Sequence, residues 1–195
     1  FYGCKSLKEI NIPTQLESVG YYAFYGCLAI SEIALPDTVV EILDGAFRGC
    51  TSLTDIGLSE RLQIISPFVF DGCTRLASVV IPEDVKEIGS SAFGGCGALK
   101  AISLPSTVES IGADAFAFCT ALEEITFPAS VNTFGSRVFI SCDRLTSVSI
   151  LSTTKPATAD DMFSGLPNEC TVYVPSGLLS VYASEYPGVH FEALS

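Results

Sequence analysis

Apolar residues recur along this chain on one fixed step. Phenylalanine stands at Phe1, Phe24, Phe47, Phe70, Phe93, Phe116 and Phe139, always 23 residues apart. Cysteine follows three residues behind, at Cys4, Cys27, Cys50, Cys73, Cys96, Cys119 and Cys142, and a Leu or Ile three residues after that, from Leu7 to Leu145. Next comes an apolar–polar–apolar segment: Ile10–Ile12, Ile33–Leu35, Ile56–Leu58, Val79–Ile81, Ile102–Leu104, Ile125–Phe127 and Val148–Ile150. That alternation predicts a half-buried strand, since successive side chains of a strand point to opposite faces. Pro13, Pro36, Pro82, Pro105 and Pro128 close the segment, because proline offers no N–H to a ladder; Ser59 and Leu151 are the exceptions. A second apolar pair, Leu16/Val19 in the first unit and Val131/Phe134 in the sixth, completes each repeat. The G-x-x-A-F-x-G-C stretch then spaces its apolar residues by three, which predicts a short helical or 3-10 turn.

A strict period between about 20 and 50 residues marks a solenoid, in which each coil buries its apolar face against its neighbours. Each coil is predicted as strand, corner, short extended piece and turn, with strands of successive coils pairing in parallel about 4.7–4.9 Å apart. One domain is expected over residues 1–195, regular through residue 150 and divergent from 151 onward. In the divergent part, STTKPATADD reads as a looser turn, and Val172 and Val174 as a last strand. Ser176 is a good N-cap for a helix over about 177–186 carrying Leu178, Leu179, Val181 and Tyr182, which would cover the last coil. Phe1 falls in mid-unit without a Met, so further coils or an N-terminal cap are expected upstream.

Seven evenly spaced cysteines invite a chemical reading, and the spacing argues against one. Zinc ligands come paired two to four residues apart, and no two cysteines here lie so close. A thiol nucleophile needs a base, and the only histidine, His190, lies in the divergent tail. Disulfides between neighbouring rungs fall within reach, but side chains in a ladder project in parallel and not toward each other. In the last unit, counting back from Pro175 puts Phe163 in the phenylalanine slot and Leu166 where cysteine stood. A slot that takes leucine asks for a modest apolar group. The seven are therefore expected as reduced, buried core. Cys170 lies outside the series, in the slot of Lys8, Lys100 and Glu123, and is expected to face solvent.

Composition narrows the function. Apolar residues make up 48% and charged residues 16%, as in an ordered chain, and the net charge is −12. That charge argues against nucleic acid, whose binding rests on neutralising phosphates, and against anionic lipid. No apolar run reaches the roughly 18 residues of a membrane span, so no membrane insertion is expected of this segment. No GxSxG, HExxH or phosphate-binding loop occurs, and Asp160–Asp161 lacks the rest of a calcium loop. No enzyme, metal or cofactor is expected.

Two surfaces are candidates for binding a protein. One is the outward row of the strand stack, including Glu9, Asn11, Glu32, Asp55, Glu124 and Thr126, otherwise small residues suited to close stacking. The other is aromatic: Tyr2, Tyr21, Tyr22 and Tyr25 fall in non-core slots of the first two units, and Phe68 occupies the slot of Tyr22 two coils later. These tyrosines form either a recognition surface or a cover for the join to upstream coils.

The unit L-x-x-I-x-I/L-P-x-x-V-x-x-I-G-x-x-A-F-x-G-C resembles the BspA-like class of leucine-rich repeats over essentially the whole chain. The resemblance implies a right-handed leucine-rich-repeat solenoid with a C-terminal helical cap. It also implies a protein-interaction module displayed on a bacterial surface or secreted, with adhesion to host or neighbouring-cell proteins as its role; a non-catalytic monomer is expected. A passive spacer holding another domain off the envelope is the alternative.

Overall fold

The computed structural model describes residues 1–194, wound as a parallel-strand solenoid of about eight turns. Numbering each coil from its phenylalanine, coil 1 starts at Phe1, coil 7 at Phe139 and coil 8 at Phe163. Two sides of the solenoid carry short strands. On the first side lie β2 (Glu32–Ala34), β4 (Asp55–Gly57), β8 (Glu124–Phe127), β10 (Ser147–Ile150) and β12 (Thr171–Val174). On the second lie β1 (Ser18–Val19), β3 (Glu41–Ile42), β5 (Ile64–Ile65), β6 (Glu87–Ile88), β7 (Ser110–Ile111), β9 (Thr133–Phe134) and β11 (Ala157–Thr158).

All pairing is parallel and sets equivalent residues side by side: Ile33 with Ile56, Ile88 with Ile111, Ile125 with Val148. Repetition of the sequence thus becomes a column of like side chains, half of them inward. Phe1, Phe24, Phe47, Phe70, Phe93 and Phe116 stack with centroids 5.2–6.0 Å apart. The stack ends at Phe127, which replaces the usual Leu or Ile and meets Phe116 and Phe139 edge-on at 6.4 and 5.9 Å.

The ladders are less continuous than the repeat predicts. The equivalent segments of coils 1, 4 and 5, around Ile10, Val79 and Ile102, belong to no sheet. Val79, Ile81 and Ile102 are buried all the same. Burial of the inward side chains holds these segments, and most backbone hydrogen bonds joining them to neighbouring coils are made on the other two sides, with Glu123 to Lys100 O at 3.1 Å as an exception.

The third side is not helical either. From Leu43 to Cys50, alternate amides bond locally and across coils. Ala46 donates to Leu43 O, Arg48 to Gly45 O and Cys50 to Phe47 O, while Gly45, Phe47 and Gly49 donate to Pro67, Val69 and Asp71 carbonyls at 2.7–3.0 Å. A 3-10 run would satisfy every amide within its own coil; this alternation stitches neighbouring coils together. It requires two left-handed residues per coil. One is the glycine before cysteine (φ 64–75° at Gly26, Gly49, Gly72 and Gly95), replaced by Phe118 and Ser141 at φ 60 and 58°. The other is the position of Tyr22, Gly45, Phe68, Ser91, Asp114 and Arg137.

Cys27, Cys50, Cys73, Cys96, Cys119 and Cys142 are free and fully buried. Two cysteines depart from expectation. Cys4 is exposed, because no coil stacks on its outer side among the described residues. Cys170, expected in solvent, is 2% exposed. In coil 8 the residue six after phenylalanine, a Leu or Ile in every other coil, is the exposed Glu169, and the next residue, Cys170, turns inward in its place, its amide bonding the carbonyl three residues back (Pro167 O, 2.9 Å) as the leucine amides do elsewhere.

The cap also differs in detail. A 3-10 turn, Ser176–Leu178, leads into α1 (Leu179–Glu185), and the Ser176 side chain makes no capping hydrogen bond, since Pro175 holds the cap position. Of the expected helix residues only Tyr182 is fully buried. It joins Tyr186 and Phe191 over Phe163, with Phe163 centroid distances of 6.4, 4.9 and 5.6 Å. A last strand, β13 (His190–Ala193), pairs in parallel with β12 and extends the sheet by one rung.

Candidate functional site

The strand-face candidates do not form one continuous stripe. Glu32 and Asp55 pair directly in register, and Glu124 and Thr126 pair with Ser147 and Ser149. Between the two pairs lie the unpaired segments of coils 4 and 5, presenting Ser78, Val80, Ala101 and Ser103. Glu9 and Asn11 are exposed on a stretch of coil 1 outside any sheet. All six side chains face solvent, but the structure gathers only adjacent ones.

The tyrosines are gathered more closely. Tyr2 and Tyr25 are equivalent residues of successive coils and stack at 4.7 Å, nearly parallel. Tyr22 meets Tyr25 edge-on at 5.9 Å and lies across Gly45, where a Cβ would collide with its ring. Tyr21 stands beside them, 65% exposed, as Tyr2 is at 68%. The left-handed backbone at Tyr22 is what lays its ring along the surface.

Two residues of this surface, Arg48 and Asp71, are not among the candidates read from the sequence; Phe68 is, as the residue in the slot of Tyr22. Arg48 continues the column of Tyr2 and Tyr25, and its guanidinium sits 5.2 Å from the Phe68 ring centroid while its Nε contacts Asp71 at 2.8 Å. Phe68 continues the column of Tyr22 and Gly45. Burial raises the Asp71 carboxyl pKa despite the pull of Arg48 the other way. The signal was in the repeat itself: positions 2, 25, 48 and 71 are one slot, and 22, 45 and 68 another. Two adjoining columns thus form a platform of Tyr2, Tyr25, Tyr22 and Phe68 with one stacked cation.

Chemistry beyond binding finds little to work with. His190 pairs with Glu192 at 3.1 Å on the exposed edge strand, and Asp161 lies 3.9 Å from Arg137, which also holds Asp114 at 2.7 Å. Among the described residues no group of His, Cys, Asp and Glu has metal-binding geometry, and no helix is long and apolar enough to cross a membrane.

The family profile described as a BspA type leucine rich repeat region (6 copies) matches residues 1–99 and 86–186. No curated protein sequence matches the chain. Among solved structures, a leucine-rich repeat protein from Bacteroides ovatus aligns over 100% of this chain and 74% of its own, at 21% identity and a TM-score of 0.67. The T. pallidum leucine rich repeat protein is 36% identical over 61% of this chain and 58% of its own, with a TM-score of 0.60. A leucine rich cell surface protein from Faecalibacterium prausnitzii is 38% identical over 65% of this chain, at a TM-score of 0.57, and the chain spans only 32% of it.

Proposed function

The chain belongs to the BspA-type leucine-rich repeat family, and from that premise we propose that it is a protein-binding module of a bacterial surface or secreted protein. It acts as a monomer and adheres to proteins of host or neighbouring cells. The observation that carries this reading is the platform of Tyr2, Tyr22, Tyr25 and Phe68 with Arg48. Tyrosine and arginine supply most of the energy at protein interfaces, since each combines a large apolar face with a polar tip. Here they are held on stitched coils, so little conformational freedom is lost on binding. The small, mostly uncharged strand face lacks such anchors. Surface display is supported by the likeness to a protein described as a leucine rich cell surface protein.

The test is binding of the purified chain to immobilised extracellular-matrix and epithelial surface proteins, read by surface plasmon resonance. Saturable binding that falls about tenfold or more in Tyr22→Ala and in Arg48→Ala is expected, the usual effect of losing an anchor. Loss in Glu32→Ala with Tyr22→Ala unaffected would move the site to the strand face. No binding to any surface protein would leave the spacer role.

A further inference from the structure

The coils are not equally joined. In the second sheet, Gly89, Gly112 and Gly135 donate their amides to the carbonyls of Ile65, Ile88 and Ile111 at 2.7–2.8 Å. A Cβ on any of these glycines would collide with the backbone of the preceding coil, at Pro67, Ser90 and Ala113 respectively. Close approach at this corner therefore depends on glycine. In coil 3 the slot holds Ser66, and in coil 2 Leu43. Leu43 is accommodated: it faces Gly20, which carries no side chain and has open space around its Cα, and it bonds Val19 O at 2.8 Å. Ser66 faces Leu43 instead, so two side-chain-bearing residues meet where the other coils put glycine.

The ladder breaks there. Strands β3 and β5 are unpaired, although β1 pairs with β3 and β5 with β6. Lys86, Glu109 and Asn132 donate to the carbonyls of Gln63, Lys86 and Glu109 at 2.7–2.8 Å, but Gln63 makes no such bond to Val40. The Ser66 hydroxyl takes the Ile42 carbonyl in place of its own amide. A cleft of about 510 Å³ opens between the coils, lined by Val40, Glu41, Arg61, Gln63, Ile64 and Asp84. Glu41, Arg61 and Asp84 make its lining polar, so solvent entering it would satisfy the freed backbone groups at small cost. On the other two sides coils 2 and 3 stay joined: Leu35 to Gly57 O at 2.9 Å and Thr54 to Ser31 O at 2.8 Å on one, Gly45 to Pro67 O at 3.0 Å on the other.

We propose that this break is a joint at which coils 1 and 2 rock against the rest of the solenoid. The cleft opens and closes about the two stitched sides, and Ser66 acts as the wedge. The inference stands apart from any binding role, because it rests on backbone pairing alone.

Hydrogen exchange and a distance measurement test it on the whole chain. The amides of Gln63 and Ser66 should exchange at least about tenfold faster than those of Lys86 and Gly89, as locally open segments do. Ser66→Gly should bring them to the same rate. A spin label on the exposed Cys4, paired with one on Thr133→Cys, should give a broad distance distribution that narrows in Ser66→Gly. Transplanting the wedge with Gly89→Ser should release Lys86 and Gly89 to fast exchange. Protection of Gln63 equal to that of Lys86 in the wild type, or a folded Ser66→Gly protein with unchanged exchange and distances, would overturn the joint.

Discussion

The Cys96 thiol donates to the carbonyl oxygen of Phe70 at 3.3 Å, across the step from one coil to the next. The same bond recurs from Cys27 to Phe1, Cys50 to Phe24, Cys73 to Phe47, Cys119 to Phe93 and Cys142 to Phe116, at 3.1–3.2 Å. The Phe70 carbonyl already accepts from the Cys73 amide at 2.9 Å, so the thiol occupies its second lone pair in a dry core. Cysteine is thus more than a small apolar filler. It is an apolar residue with one weak donor, set where a carbonyl needs one.

Replacing Cys96 by valine keeps volume and apolarity but removes the donor. Cys96→Val should lower stability by about 1 kcal/mol, the net worth of a buried hydrogen bond. Cys96→Ala should cost about 2 kcal/mol, because the lost sulfur also leaves a void. Urea unfolding followed by circular dichroism measures both. A valine variant as stable as the wild type would show the thiol bond to be idle.

Burial raises the pKa of the thiols from Cys27 to Cys142, to about 12 at Cys50 and at Cys142 and well above the ordinary value at Cys73 and Cys96. Native protein treated with a thiol reagent at pH 8 should therefore show one fast cysteine, Cys4, and seven slow ones. The unfolded chain gives up these protons near pH 9, whereas in the folded chain Cys50 and Cys142 hold theirs to about 12 and the other buried thiols are likewise shifted up. Stability is then full below pH 9 and falls above it, by up to about 1.4 kcal/mol per pH unit for each thiol. Thermal unfolding between pH 8 and 11 should show a steep drop. A flat profile would contradict the buried column.

Phe118 holds a left-handed backbone at φ 60° with its ring 56% exposed, in a slot that is glycine in the five preceding coils. A bulky side chain strains there by about 1–2 kcal/mol, and glycine gives back part of that in unfolded-state entropy. Phe118→Gly should raise stability by about 0.5–1 kcal/mol. Gly72→Ala should lower it by a similar amount, and differential scanning calorimetry reads both.

The hydroxyl of Tyr182 is buried in the cap without a hydrogen-bond partner, and burial lifts its pKa to about 12. Removing an unsatisfied polar atom relieves its desolvation cost, so Tyr182→Phe should stabilise by about 1 kcal/mol. Tyr186→Phe should do the opposite, since its hydroxyl donates to Thr158 Oγ1 at 2.6 Å. Reversal of this order in urea unfolding would mean the Tyr182 hydroxyl is served by water.

The sequence alone determined the period, the fold and the inward set. A 23-residue step in Phe, Cys and Leu can bury its apolar residues in one way only, with like on like in successive coils. It also told which side chains face out, because inward and outward alternate along each strand. Tertiary structure decided whatever depends on the approach of one coil to the next. The thiol bonds run between residues 26 apart in sequence, so no local pattern announces them. Stitching of the turns, exposure at Cys4, inward rotation at Cys170 and the break at Ser66 have the same origin. Each depends on what the neighbouring coil places alongside, which is set by the packed coils and not by any single repeat.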